Sequence, residues 1–286
     1  MPDRLVSHGQ LVTRRRLLWR GAATSSPGVL WLLVFLAIPC LLLLALAFAS
    51  RGSYGQIIWS PTWRNFRKLA GYGVFGWSAD YLWILARTVW LALLTTILCI
   101  LLAYPIAFFV ARRSPRWRNF WLVLLMIPFC TNLVIRTYGW QLVFSILSPN
   151  LYPGAIAVII GMVSSNLSFA VLPLYTSVER IDWSIVDAAE DLYASRWSVF
   201  RHGILPQTRP GLVVAVIVTF IPALGTFVVP DLLGGSKTML IGNLIQQQFG
   251  ASRDFPFGAA LSFTLMLATL IALGIYQRRA GEAGLV

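Results

Sequence analysis

The sequence predicts an all-α, polytopic membrane protein with six transmembrane helices, and three observations lead there. Of its 286 residues, 58% are hydrophobic and only 12% are charged, whereas a soluble domain carries about a quarter charged residues. Mean hydropathy is +0.74, so lipid rather than water must be the solvent for most of the chain. The apolar residues also fall into six runs, each near the about 20 residues that a helix rising about 1.5 Å per residue needs to cross a core about 30 Å thick.

The runs are 27–50, 83–111, 120–140, 153–176, 211–231 and 255–276. The first follows five arginines, and Ala45-Leu46-Ala47 imitates a signal-peptidase site. Its length exceeds the about 7–15 residues of a signal core, so a retained helix is expected. Asn132 and Arg136 interrupt the third run, and Pro39, Pro105, Pro128, Pro173 and Pro222 lie inside runs. Membrane helices tolerate such prolines because neighbouring helices satisfy the freed carbonyls.

Lys and Arg set the orientation. With the N-terminus inside, inner segments hold 15 basic residues and outer ones 6, so both termini are expected in the cytoplasm. The first outer loop departs from the trend. There Trp63, Phe66 and Leu69 alternate with Arg64, Arg67 and Lys68, the pattern of a short amphipathic surface helix. The organisation read from this is a basic tail (1–26), the first helix with its outer loop (27–82), a five-helix core (83–277) and a cytoplasmic tail (278–286).

Several function classes fit the residues poorly, and of these a self-sufficient secondary carrier stays as an alternative. The net charge of +13 comes from arginines beside apolar runs, a topology signal rather than a nucleic-acid footprint. Cys40, Cys99 and Cys130 show no metal or redox spacing, so neither a metal site nor a catalytic set is expected. The stretch 234–238, Gly-Gly-Ser-Lys-Thr, lacks the frame of a phosphate-binding loop. A proton-coupled carrier would bury Asp, Glu or His at mid-membrane. His8 and His202 instead fall in polar segments, as do the acidic residues.

The longest inner loop, 177–210, contains five of the ten acidic residues. A simple connection needs only a few residues, so this loop is a candidate for docking a partner. Ser184 as N-cap and Asp187 in the first turn predict a helix over 184–193. Asp187, Glu190 and Asp191 share one face, with Ile185, Ala188 and Leu192 as an adjoining apolar strip. Pro206 is expected to close the unit.

This loop resembles the EAA motif of bacterial ABC importer permeases. Asp187-Ala188-Ala189 occupies the EAA position, and Leu205-Pro206 the closing L-P at the expected spacing. Tyr193 stands where the family has Gly, and Gly203 where it has Ile, so the turn after the helix is expected to be built differently. Other stretches are similar to the spermidine/putrescine branch of these permeases (PotB type). Among them are Ala103-Tyr104-Pro105, Ile127-Pro128-Phe129 with Arg136-Thr137-Tyr138, Pro230-Asp231-Leu232, Leu240-Ile241-Gly242-Asn243 and Arg253-Asp254-Phe255. The resemblance covers most of the chain from Pro27 onward.

The resemblance implies the type I ABC importer permease fold and a bacterial inner-membrane location. It implies a chain that is not itself an enzyme and carries no cofactor. ATP and Mg would be bound by two partner ATPases docked on Asp187, Ala188, Ala189, Glu190, Asp191, Tyr193, Leu205 and Pro206. A related second permease, an extracytoplasmic binding protein and the lipid membrane complete the partners. The cargo implied is a polyamine, with opines, aminoethylphosphonate-like compounds, thiamine or iron complexes as alternatives. For a cation, carboxylates at the mouth and aromatic faces inside suit the path. Asp231, Asp254, Tyr138, Trp140, Tyr175, Phe220 and Phe227 are its candidates.

Overall fold

The computed structural model describes residues 24–73 and 76–283. The expected basic tail up to residue 23, His8 included, lies outside them, as do the last three residues. The elements are α1 (Thr24–Ala47), a two-stranded ribbon β1–β2 (Ser50–Arg51, Ile57–Ile58), α2 (Arg64–Leu69) and a second ribbon β3–β4 (Tyr72–Gly73, Gly76–Trp77). Then follow α3 (Asp80–Ala111), α4 (Pro115–Cys130), α5 (Leu133–Leu147), α6 (Ala155–Glu179) and α7 (Trp183–Asp191). The last are α8 (Arg196–Gly225), α9 (Val228–Gly234), α10 (Ile241–Phe249) and α11 (Phe255–Ala283). Among the described residues five helices are long and apolar enough to cross a membrane, with a sixth crossing if the bent pair α4–α5 is one span.

The centre is α6, flanked by α3 and α8. Small residues let these backbones approach, as is usual where lipid offers no hydrophobic drive between helices. Along α3 the fully buried positions are Ala92, Thr95, Cys99, Ala103 and Ala107. On α8, Gly211 faces α6 so closely that a Cβ there would lie 2.5 Å from the Pro173 carbonyl oxygen and closer still to the Ser177 hydroxyl. Two apolar clusters fill the bundle, one at each end of α6. Met162, Val158, Leu233 and Phe144 belong to one; Leu174, Val178, Val110 and Val186 belong to the other.

Helix α1 packs on α11 along its C-terminal half, where Cys40 Sγ lies 3.7 Å from Met266 Sδ and Ala47 meets Ala259 and Ala260. The amphipathic helix expected after the first span is α2. It is seated rather than lying free: Leu69 is buried against Ile241, Leu244, Phe257 and Leu261. Buried Asn65 donates from Nδ2 to the Ala47 and Ala49 carbonyls, both at 2.8 Å, which satisfies the last carbonyl of α1 and one in the turn that follows.

Three elements differ from the sequence expectation. The third run is not one helix, because α4 and α5 meet at 91°. Thr131 and Asn132 are extended, and the Asn132 Oδ1 accepts from Val134 N at 2.8 Å, so the residue that interrupts the apolar run is the N-cap of a new helix. The fifth helix begins at Arg196, fifteen residues before the expected 211, and ends at Gly225. Asp231 therefore sits on the separate helix α9 rather than at the end of a span. Finally, Pro206 does not close the loop. A π-helical segment, Val199–Ile204, leads directly into it, and the helix runs on. Proline has no N–H and its ring crowds the carbonyl four residues back; the wider turn before it makes room. The same arrangement occurs in α1, where the π segment Leu33–Ala37 precedes Pro39.

Candidate functional sites at a projecting helix and at two helix breaks

Helix α7 stands at the end of α6 and is seated by two positions. Val186 is buried and Ala189 partly so, both against the cluster of Val110, Leu174 and Val178. Its N-cap is Asp182, not the expected Ser184. The Asp182 Oδ1 accepts from Ser184 N at 3.0 Å and from Ser184 Oγ at 2.7 Å. Those two bonds, side chain first, hold its carboxyl below the ordinary carboxylate value. A depressed folded value means that the cap contributes above the unfolded pKa and is lost only as pH falls through the folded one, so it is intact at neutral pH. The Asp182 N–H is tied to α8 through Gln207 Oε1 at 2.9 Å.

Asp187, Ala188, Glu190 and Asp191 are all exposed. The strip expected to adjoin them is exposed as well, with Ile185 at 48% and Leu192 at 81%. One surface therefore presents carboxylates and apolar side chains together. Trp197, 69% exposed and stacked on Phe200, extends it. Of the closing pair, Leu205 is half-buried and Pro206 exposed, both already inside α8. Beside α7, Asp187 shares a cavity of about 370 Å³ with Glu179 and Arg112, whose guanidinium lies 5.2 Å from the Trp183 ring centre.

The turn after α7 corrects the expectation drawn from Tyr193. Ala194 N donates to the Ala189 carbonyl (3.2 Å) and Tyr193 N to the Glu190 carbonyl (2.9 Å). These are the paired bonds of a Schellman motif, whose left-handed position usually holds Gly. Tyr193 occupies it at φ 56° with its ring 98% exposed. The turn is thus built as a glycine would build it, and the side chain bears a strain of about 1 kcal/mol. Tyr193→Gly is expected to remove that strain and to slow amide hydrogen exchange at Ala194 about fivefold. An unchanged rate would show the tyrosine to be unstrained.

The second region lies at mid-depth. A cavity of about 360 Å³ opens where the α4–α5 elbow and the break after α8 both face the middle of α6. Phe129, Thr131, Arg136, Ser165, Asn166, Phe169 and Phe227 are among its lining residues. Phe129 and Phe169 meet edge to face at 5.0 Å. Arg136 reaches back across the elbow, its Nη1 donating to the Pro128 carbonyl, which also accepts from Thr131 Oγ1 at 2.8 Å. The Arg136 Nε is buried without a partner. Phe227 also borders a second cavity of about 470 Å³, beside Gln246, Ser262 and Thr269. Asn243 holds that break, with Nδ2 donating to the Phe227 carbonyl at 2.9 Å.

Of the seven path candidates from sequence, only Phe227 reaches the mid-depth cavity. Trp140 donates to Ser164 Oγ at 3.0 Å and stacks on Phe144. Tyr175 is buried in the cluster near α7, Phe220 is half-buried in the other cluster, and Tyr138 and Asp231 are exposed. Asp254 is buried: its Oδ2 pairs with Lys68 Nζ at 3.2 Å and its Oδ1 accepts from Phe257 N at 3.3 Å, so it caps α11 and anchors α2. Sequence reasoning missed Phe129, Ser165, Asn166 and Phe169. The available signal was Asn132 and Arg136 breaking an apolar run.

Residues 103–280 match the family model described as binding-protein-dependent transport system inner membrane component. The spermidine/putrescine transport system permease protein PotB of Salmonella typhimurium is 37% identical over 263 residues, covering 87% of this chain and 89% of that protein. The PotB of Haemophilus influenzae is 36% identical over 267 residues, with 87% and 90% covered. The inner membrane ABC transporter permease protein YdcU of Escherichia coli is 31% identical over 217 residues, with 66% and 68% covered. Among solved structures, a bacterial ABC transporter involved in import of the acidic polysaccharide alginate aligns with TM-score 0.60 at 17% identity, covering 94% of this chain and 99% of that one. The inward-facing MetNI methionine ABC transporter aligns with TM-score 0.51 at 18% identity, covering 72% and 97%. These two likenesses concern the fold, which is that of ABC importer permeases.

Proposed function

Because the chain belongs to the binding-protein-dependent inner membrane components, the permease subunits of ABC importers, we propose that it carries a polyamine, spermidine or putrescine, across the inner membrane. The observation that carries the reading is identity of 36–37% to PotB proteins, sustained over about nine-tenths of their length. The exposed surface of α7 supports the coupling role. A helix held by its cap and two apolar positions leaves its carboxylates, Leu192 and Tyr193 free for a groove on an ATPase. Two ATPases would bind the ATP and Mg, and their closure would move a pair of related permeases. Both termini and α7 would then face the cytoplasm, in keeping with the basic bias. Cargo would come from an external binding protein; the alginate transporter has been solved in complex with a periplasmic protein that holds an alginate pentasaccharide.

The cargo path runs through the mid-depth cavity, where the Phe129, Phe169 and Phe227 rings offer faces to an ammonium. Asp231, exposed on α9, supplies a carboxylate that attracts the dication toward it. The test is uptake of labelled putrescine and spermidine by cells lacking their own polyamine import, with the neighbouring transporter genes co-expressed. Uptake that depends on this chain and falls severalfold in Asp231→Asn, with assembly intact, is expected. Uptake unaffected by Asp231→Asn removes that residue from the path, and no uptake in the wild type refutes the cargo.

A further inference from the structure

Arg136 is a guanidinium at mid-depth with no carboxylate beside it among the described residues. Its cavity borders Ser165, Asn166 and Phe169, the middle of the 25-residue helix α6, and among the described residues no Asp or Glu lines it. The donors of the neighbouring polar groups are taken up by backbone carbonyls: Ser165 Oγ donates to the Gly161 carbonyl, Asn166 Nδ2 to Met162 and Thr131 Oγ1 to Pro128. The charge is held by one bond to the Pro128 carbonyl, at the end of α4 where terminal carbonyls favour a cation. The orphaned Nε leaves the rest of it uncompensated. An intramembrane charge is costly and marks a function, and the elbow alone does not require it, since Thr131 and Asn132 already cap both helix ends.

We propose that Arg136 is a fixed-charge barrier that stops inorganic cations from leaking through the cavity while no cargo is in transit. In apolar surroundings the field of one charge spans the cavity, as the arginines of other selective pores do. A polyamine crosses the same field because its charges are spaced along a flexible chain. One ammonium at a time then passes the guanidinium, with the aromatic faces of Phe129, Phe169 and Phe227 to stack on and ATP to drive the step. The barrier's cargo rests on the polyamine reading; the barrier itself does not.

The test uses the complex of this chain with its permease and ATPase partners in liposomes. Passive rubidium flux without ATP is measured beside ATP-driven putrescine uptake. Arg136→Gln is expected to raise rubidium flux at least about tenfold and Arg136→Lys to leave it low. Asn166→Asp keeps the elbow and places a carboxylate of the same shape in the cavity, and it should raise the flux likewise. It decides the matter alone if size-exclusion chromatography finds Arg136→Gln unassembled. Equal flux in wild type and Asn166→Asp, or Arg136→Lys leaking as much as Arg136→Gln, overturns the barrier. If the charge-dependent flux holds but the wild type takes up no putrescine, the polyamine reading falls and the barrier stands.

Discussion

Replacing Asp187 and Glu190 together by arginine is expected to strip the ATPase from the purified complex, lowering its recovery more than tenfold, and to abolish uptake. Both side chains are exposed on one face of α7, three residues apart. Neither takes part in seating the helix, which rests on Val186 and Ala189, nor in its cap, which is Asp182. The double change reverses two charges where a partner would close over them. Leaving a charge facing the wrong partner at an interface costs about 2–5 kcal/mol, enough for a loss of that size. Surface substitutions away from packing shift stability by only about 0.5 kcal/mol, so the permease should keep its melting temperature. A complex that retains its ATPase through this change would place the docking surface elsewhere.

Gly211→Leu is expected to prevent folding, and Gly211→Ala to destabilise by about 1–3 kcal/mol. A methyl at this position falls on the Ser177 hydroxyl and 2.5 Å from the Pro173 carbonyl oxygen. The latter is backbone and cannot rotate away, so α6 and α8 would have to separate. The contact lies within the cluster of Leu174, Val178 and Ala215, on the central helix of the bundle. Gly139→Ala is the control, because a Cβ there meets nothing within 4 Å and alanine is the better helix former. Thermal unfolding in detergent checks the pair. A Gly211→Ala protein as stable as Gly139→Ala would mean that the two helices are not held this closely.

The sequence by itself determined the helical class, the approximate spans and the loop that projects. Each apolar run answers to lipid individually, so length and hydropathy decide it without knowledge of its neighbours. Runs 83–111 and 255–276 correspond to α3 and α11 within a few residues at their N-terminal ends. The acidic helix was equally legible, because its spacing is local and its resemblance to the EAA motif rests on residues within twenty positions.

Tertiary structure decided what depends on residues far apart in the chain. From sequence Asp254 reads as a carboxylate at the pore mouth, but in the fold Lys68, 186 positions away, pairs with it. The strip of Ile185, Ala188 and Leu192 is legible from spacing, but that Val186 and Ala189 seat α7 is not, because the facing surface is assembled from α3 and α6. The mid-depth cavity is made by two chain breaks nearly a hundred residues apart, meeting across α6. Hydropathy reports how much each segment prefers lipid, but a cavity and the charge inside it exist only once the segments are packed together.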